Sequence, residues 1–204
     1  VAGFSRSKRS LVLDLTQDKE RLLMMKLVVW ADVFVENFKG GVTDRMGLGY
    51  EDLRKINPGI IYASSGSFGS RGPLKSKATM GNTSPMFAGW GSISGYKGGP
   101  GMLGYGGGIG ADPVSPTYLV TDILMALYSR GLTGRGQKIE TAQVLTSIAL
   151  QQVTAQDYFI TGRQPDLMGS ASRYIVPSQV FATKDSHMAV EAHTEKSWKQ
   201  MCGA

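Results

Sequence analysis

Short apolar runs that read as strands alternate with helix-patterned segments through the first part of the chain, and this alternation constrains the fold more than any other feature. Residues 10–15, 32–36 and 60–65 are strand-like. Between the first two, Thr16 is placed to cap a helix ending near Ala31, with Leu22, Leu23, Met25, Leu27 and Val29 as its apolar positions. A turn at 37–41, a short helix around Asp44–Gly47 and a second helix over 50–56, stopped by Asn57-Pro58-Gly59, separate the second run from the third. Strands alternating with helices predict a parallel, Rossmann-like α/β sheet with right-handed crossovers. Ligands of such sheets gather beyond the carboxyl ends of the strands, which directs attention to the loops at Asn37 and Gly66.

The second informative stretch runs from Gly104 to Gln137. A glycine-rich loop containing Gly104, Gly106, Gly107, Gly108 and Gly110 leads into Ala111-Asp112 and then Ser115-Pro116, which reads as an N-cap and first helical residue. Tyr118, Leu119, Ile123, Ala126 and Leu127 recur at helical spacing. A carboxylate at a helix mouth meets amide N–H groups and the positive end of the helix dipole, so Asp112 is a candidate nucleophile. The same position also suits an ordinary cap or turn residue. Gly106 to Ala111 formally fits a dinucleotide fingerprint, but no clear strand precedes it and Asp112-Pro113 interrupts the helix start.

Residues 74–110 are rich in Gly, Ser and Met; a short helix over 85–90 is predicted within them. Residues 138–142 read as a strand, 144–160 as one long helix closed by Gly162, and 163–177 as a linker. A hairpin over 178–192, turning at 184–186, and a helix over 195–201 close the chain. The domain division is therefore 1–162 for a large domain, 163–177 for a linker and 178–204 for the beginning of a small α+β domain.

Composition narrows the function classes. With 42% hydrophobic residues the chain can build a core, and its net charge of +6 comes from scattered basic residues. That balance suits an anionic small molecule, and no aromatic–basic motif points to nucleic acid. A single cysteine, Cys202, rules out an internal disulfide; His187 and His193 read as residues on one strand face rather than metal ligands, so no metal is expected. No apolar run reaches membrane-spanning length and no signal peptide is visible, so a soluble, cytoplasmic protein is expected.

Six blocks make a more specific case. Lys8-Arg9-Ser10-Leu11-Val12-Leu13-Asp14-Leu15, Ala31-Asp32-Val33-Phe34-Val35-Glu36-Asn37-Phe38, Asp44-Arg45-Met46-Gly47-Leu48-Gly49-Tyr50, Ile56-Asn57-Pro58, Ser67-Phe68-Gly69 and Thr133-Gly134-Arg135-Gly136-Gln137 fall in the order in which the family III CoA-transferases carry them. The chain resembles that family over nearly its whole length. The resemblance implies CoA transfer between an acyl-CoA and a small carboxylic acid in an interlocked homodimer, with no permanently bound cofactor. It places the nucleophilic aspartate at Asp112 and CoA-contacting positions at Leu13, Asn37, Phe38, Arg45 and Met46; Lys75 and Lys77 are further candidates.

Arg45 would pair with a CoA phosphate, and amides of Gly106, Gly107, Gly108 and Gly110 would face an oxyanion. Thr16 departs from relatives that place a lysine near the nucleotide phosphates. By the same resemblance the chain is partial, lacking the family's first strand and helix and a later glycine loop. Acyl-CoA racemases of the superfamily share these blocks but use a histidine near positions 80–81, where this chain has Met80-Gly81. A catalytically inactive CoA-binding homologue is the remaining alternative.

Overall fold

The computed structural model describes residues 5–101 and 110–203. They group into two compact units, Val1–Ala78 with Ser115–Ala142, and Thr79–Val114 with Gln143–Ala204.

The first unit is a parallel α/β sheet. Strands β1 (Val33–Glu36), β2 (Ile61–Gly66) and β3 (Gln137–Ala142) lie in the order β1-β2-β3, with Val33 opposite Ile61 and Ile61 opposite Gln137. Ile61, Tyr62 and Ala63 are buried consecutively, the pattern of a central strand covered on both faces. Helices α1 (Asp18–Trp30), α2 (Val42–Arg45) and α3 (Tyr50–Ile56) occupy the connections before and after β1. Their core joins Val28, Leu48, Leu53, Ile60 and Tyr62, with Met24, Met25, Phe34 and Met46 packed around it.

Asn57 does more than stop α3. Its amide donates to the carbonyls of Val28 and Ala31 at 3.0 and 2.9 Å, satisfying the end of α1, while its Oδ1 accepts from Gly59 N at 3.0 Å. Helix α5 (Ala111–Thr133) is tied to the same corner by Arg130, which donates to Asp32 Oδ1 at 2.8 Å and to the Gly59 carbonyl at 3.0 Å. Gly136 donates to the Pro58 carbonyl at 2.9 Å, and a Cβ there would lie 2.6 Å from the Gly59 carbonyl carbon. The Thr-Gly-Arg-Gly-Gln block is thus a close backbone crossing that sets the start of β3 beside β2.

The second unit contains α4 (Thr83–Phe87), a 3₁₀ turn (Trp90–Ser92), α6 (Gln143–Ala149), α7 (Gln152–Thr161), the hairpin β4 (Ser178–Ala182) and β5 (His187–Glu191), and α8 (Glu195–Cys202). The hairpin pairs Phe181 with Met188, and Thr194 and Ser197 form a capping box on α8.

Several sequence expectations are corrected. Residues 10–15 form no strand. Leu11 and Val12 are exposed, and the Thr16 hydroxyl and N–H both donate to Asp14 Oδ1, at 2.6 and 3.0 Å, turning the backbone away from an extended path. Those bonds, the hydroxyl's first, hold the Asp14 carboxyl below its usual range. Thr16 is consequently not the cap of α1; Gln17 occupies that position, without a side-chain bond.

Ser115 is not an N-cap either. Helix α5 already begins at Ala111, so Pro116 lies inside it, where it has no N–H to donate to the Asp112 carbonyl. The single helix predicted over 144–160 is broken between Ala149 and Gln152. The Trp90 indole donates to the Ser147 carbonyl at 2.8 Å, the acceptor a continuous helix would give to Gln151 N, and Gln151 N donates to Ile148 instead. The helix predicted over 85–90 divides into α4 and the 3₁₀ turn. His193 lies beyond the end of β5, bonded to Glu191 at 2.8 Å, and so shares no strand with His187.

Candidate active site

Asp112 is the second residue of α5, with its side chain exposed. The preceding Ala111 N–H is used by the Gly81 carbonyl at 3.2 Å, which lays the Met80-Gly81 segment alongside the carboxylate. The approach is close enough that a side chain at position 81 would displace the carboxylate. A Cβ built on Gly81 would lie 2.5 Å from Asp112 Cγ and 2.8 Å from Oδ1.

Gln143 completes the arrangement. Its Nε2 donates to Asp112 Oδ1 at 2.9 Å, and its Oε1 accepts from Ser84 Oγ at 2.9 Å and Thr79 Oγ1 at 3.3 Å. Ser84 is fully buried, and its hydroxyl also bonds that of Thr79. A carboxylate oxygen accepts whereas a hydroxyl can donate or accept, so Asp112 takes the N–H end of Gln143 and the two hydroxyls supply donors to its oxygen. The orientation of the amide is therefore set by its neighbours. Local spacing does not reveal Gln143; its signal is its position one residue past the carboxyl end of β3, where ligands of parallel sheets collect.

The proposed oxyanion glycines Gly106, Gly107 and Gly108 lie outside the described residues. Gly110 is described, and is buried next to Ala111.

The CoA candidates belong to the first unit. Arg45 and Met46 close α2 and share an open cleft of about 460 Å³ with Asp18, Arg21, Leu22, Met25 and Gly47. Met46 is also anchored against the core, while the Arg45 side chain is exposed. The cleft is thus lined by two arginines together with the apolar Leu22 and Met25. Arg21 is paired with Asp18 one turn earlier on α1, and Arg45 belongs to α2.

Asn37 and Phe38 stand exposed in the turn after β1, whose shape is held by the buried Glu36 carboxylate accepting from Phe38 N at 2.8 Å. Lys75 comes to the same turn, since a Cβ on Gly40 would lie 2.6 Å from the Lys75 carbonyl oxygen. Lys77 is exposed nearby in sequence, its N–H bonded to the Leu74 carbonyl at 2.9 Å, and Leu13 is half-buried ahead of α1. Arg45 with Met46, and Asn37 and Phe38 with Lys75, therefore form two groups within this unit. Among the described residues no cluster of His, Cys, Asp or Glu is arranged to hold a metal ion, and no helix is long and apolar enough to cross a membrane.

The sheet and its helical crossovers define a parallel α/β protein, one that sets a hydrogen-bonded carboxylate in the first turn of a helix. The chain belongs to CoA-transferase family III, whose family model matches residues 1–204. It is 33% identical over 198 residues to the acetyl-CoA:oxalate CoA-transferase of Acetobacter aceti, covering 97% of this chain and 51% of that protein. With the succinyl-CoA:glutarate CoA-transferase of Homo sapiens it shares 30% identity over 208 residues, covering 97% of this chain and 45% of the relative. A CAIB/BAIF family protein from Brucella suis superposes with a TM-score of 0.83 at 31% identity, over 96% of this chain and 51% of that one. The chain thus spans about half the length of the relatives it matches.

Proposed function

We propose that the protein carrying this chain transfers coenzyme A from an acyl-CoA thioester to a free carboxylic acid, with Asp112 as the nucleophile. The observation that carries the reading is an exposed carboxylate on the first turn of α5, oriented by Gln143 and flanked by Gly81, in a member of CoA-transferase family III.

The chemistry needs one carboxylate and no redox partner. An Asp112 oxygen attacks the thioester carbonyl carbon, the C–S bond breaks, and CoA leaves as a thiolate with the bonding pair, giving an acyl-aspartyl anhydride. The thiolate attacks Asp112 Cγ and expels the acyl group as its carboxylate, leaving an aspartyl-CoA thioester. The acceptor carboxylate attacks Cγ and releases the thiolate again. That thiolate attacks the acceptor's acyl carbon, forming the new acyl-CoA and restoring Asp112.

Positions 80 and 81 support transfer over racemisation. Proton abstraction beside a carbonyl needs a base, and the segment where racemases of the superfamily resemble this chain but carry a histidine presents Met80 and Gly81, neither of which can take up a proton.

The other parts of the reading follow from the family. Arg45 pairs with a CoA phosphate, and Leu13, Asn37, Phe38, Met46, Lys75 and Lys77 line the path of the cofactor portion. The resemblance assigns the amides of the 106–110 stretch to the oxyanion of the thioester. Residues 1–162, 163–177 and 178–204 are the large domain, linker and start of the small domain of an interlocked, cytoplasmic homodimer. Oxalate, mesaconate and glutarate, named for its relatives, make small dicarboxylic acids the first acceptors to assay.

The test is CoA transfer by the intact protein, with acetyl-CoA or succinyl-CoA as donor and these acids as acceptors, beside its Asp112→Asn variant. The amide cannot form the anhydride, so the variant is expected to keep its melting temperature and lose transfer. Undiminished transfer by a folded Asp112→Asn protein would overturn the reading.

A further inference from the structure

Resting on the assignment of Asp112 as nucleophile, we infer that Gln143 is a second working residue of the site: it holds the Asp112 carboxylate and donates to the oxyanion that forms on Asp112 itself. The atom that becomes negative differs from step to step. When Asp112 attacks an acyl-CoA, and when thiolate attacks the acceptor acyl group, the developing charge lies on a substrate carbonyl oxygen. When thiolate or acceptor carboxylate attacks Asp112 Cγ, the charge develops on the aspartyl carbonyl oxygen, an atom of the protein. A donor for that charge must be aimed at an Asp112 oxygen before the reaction starts.

Gln143 Nε2 stands 2.9 Å from Oδ1, inside the 2.7–3.1 Å range for donors to a developing oxyanion. The amide arrives there with little freedom left. Its oxygen accepts from Ser84 at 2.9 Å and Thr79 at 3.3 Å, Ser84 is fully buried, and turning the amide over would set its oxygen against the Asp112 carboxylate oxygen, acceptor against acceptor. Gly81 packs against the other side of the carboxylate, where a Cβ would come within 2.5 Å of Cγ. Oδ1 is thereby assigned to the amide, and Oδ2, the carboxylate atom nearest Gly81, is left as the attacking and leaving oxygen because that residue has no Cβ to cover it.

In the two steps at Cγ the electron pair of the C=O bond moves onto Oδ1 as the nucleophile adds. It returns as the leaving group departs, carboxylate with Oδ2 in the first step and thiolate in the second. Gln143 keeps all its protons throughout. It therefore speeds formation and breakdown of the aspartyl-CoA thioester without contributing to the affinity for free acyl-CoA.

The experiment mixes the intact wild-type protein, and its Gln143→Leu and Gln143→Glu variants, with excess acetyl-CoA or succinyl-CoA. Mass spectrometry after acid quench then follows how fast the Asp112 peptide acquires covalent CoA, and melting temperatures check folding. Loss of one oxyanion donor predicts a fall of roughly 10²- to 10³-fold in that rate for Gln143→Leu, with KM for acyl-CoA changed by less than about threefold. Gln143→Glu keeps the shape of the residue and donates only when protonated, so its rate relative to wild type is expected to climb as pH falls, beginning above the ordinary glutamic-acid range because the neighbouring Asp112 carboxylate disfavours a second charge. A purely structural role does not produce that pH-dependent recovery.

Wild-type rates of adduct formation in a folded Gln143→Leu protein would overturn the inference and leave Asp112 as the nucleophile. So would a Gln143→Glu rate that runs parallel to wild type at every pH. Absence of any CoA on wild-type Asp112 during turnover would instead remove the nucleophile assignment, and the inference with it.

Discussion

Replacing Gly81 by Ala probes the site through a single methyl group. No left-handed φ is recorded at Gly81, so alanine meets no backbone penalty there and the effect comes from space alone. The new Cβ would lie 2.5 Å from Asp112 Cγ, where carbon atoms sit comfortably only at about 3.5–4.0 Å. The carboxylate must therefore retreat by about 1 Å. A carboxylate is the free end of a short side chain and can move, but a shift of that size outruns the 2.9 Å bond to Gln143.

The stability cost is that of one hydrogen bond, about 0.5–1.5 kcal/mol, partly offset by the smaller entropy of the unfolded alanine chain. The catalytic cost is larger: a misplacement of about 1 Å is expected to lower transfer roughly 10²-fold. In the intact protein, Gly81→Ala should therefore melt close to wild type while turning over about a hundredfold more slowly, measured by CoA transfer and thermal denaturation on the same preparation. A variant that transfers CoA at more than about half the wild-type rate would refute the link between Gly81 packing and Asp112 geometry.

Three further outcomes are expected. Arg45→Ala should weaken acyl-CoA binding by roughly ten- to hundredfold, the worth of a charged hydrogen bond, and titrations with CoA and dephospho-CoA read whether a phosphate is the partner. Leu53→Ala removes a fully buried side chain from the centre of the α1–α3 core and should cost about 2–5 kcal/mol in denaturant unfolding, with unchanged stability counting against that core. Burial, first among its causes, pushes the Tyr62 phenol up to about 12, so the folded state holds this proton where the unfolded chain with its ordinary value near 10 has released it. The resulting stability is fully present below about pH 10 and is lost as pH rises toward 12; a Tyr62→Phe protein, lacking the 2.9 Å bond to Thr43, should be less stable at neutral pH and show a flatter alkaline limb.

The parts of the fold that the sequence made legible are those governed by local rules. Strands β1 and β2, helix α3, the β4–β5 hairpin and α8 fall within a residue or two of their expected bounds because turn residues and apolar period mark them. The failures come from polar groups, some near in sequence and some distant, that the apolar period does not register. The Leu11-Val12-Leu13 run has strand composition, but a strand needs a neighbouring ladder, and Asp14 offers Thr16 a turn instead.

Nothing in residues 144–160 signals a break, because the group that takes the Ser147 carbonyl is Trp90, 57 positions away. Asp112 stands out as a candidate through its helix mouth and the resemblance, although the helix begins ahead of it rather than at Ser115. Its partners do not: Gln143 is 31 positions distant, and the hydroxyl that orients Gln143, on Ser84, is 59 positions from it. A hydrogen-bond chain of neutral side chains has no spacing signature, so only the fold assembles it.

The central claim is that Asp112 becomes covalently activated, and trapping tests it most directly. The intact protein is incubated with acyl-CoA and hydroxylamine, and the Asp112 peptide is examined by mass spectrometry. Conversion of the Asp112 side chain to a hydroxamate is expected, dependent on acyl-CoA and accompanied by loss of transfer activity. An unmodified Asp112 in protein that is turning over would contradict it.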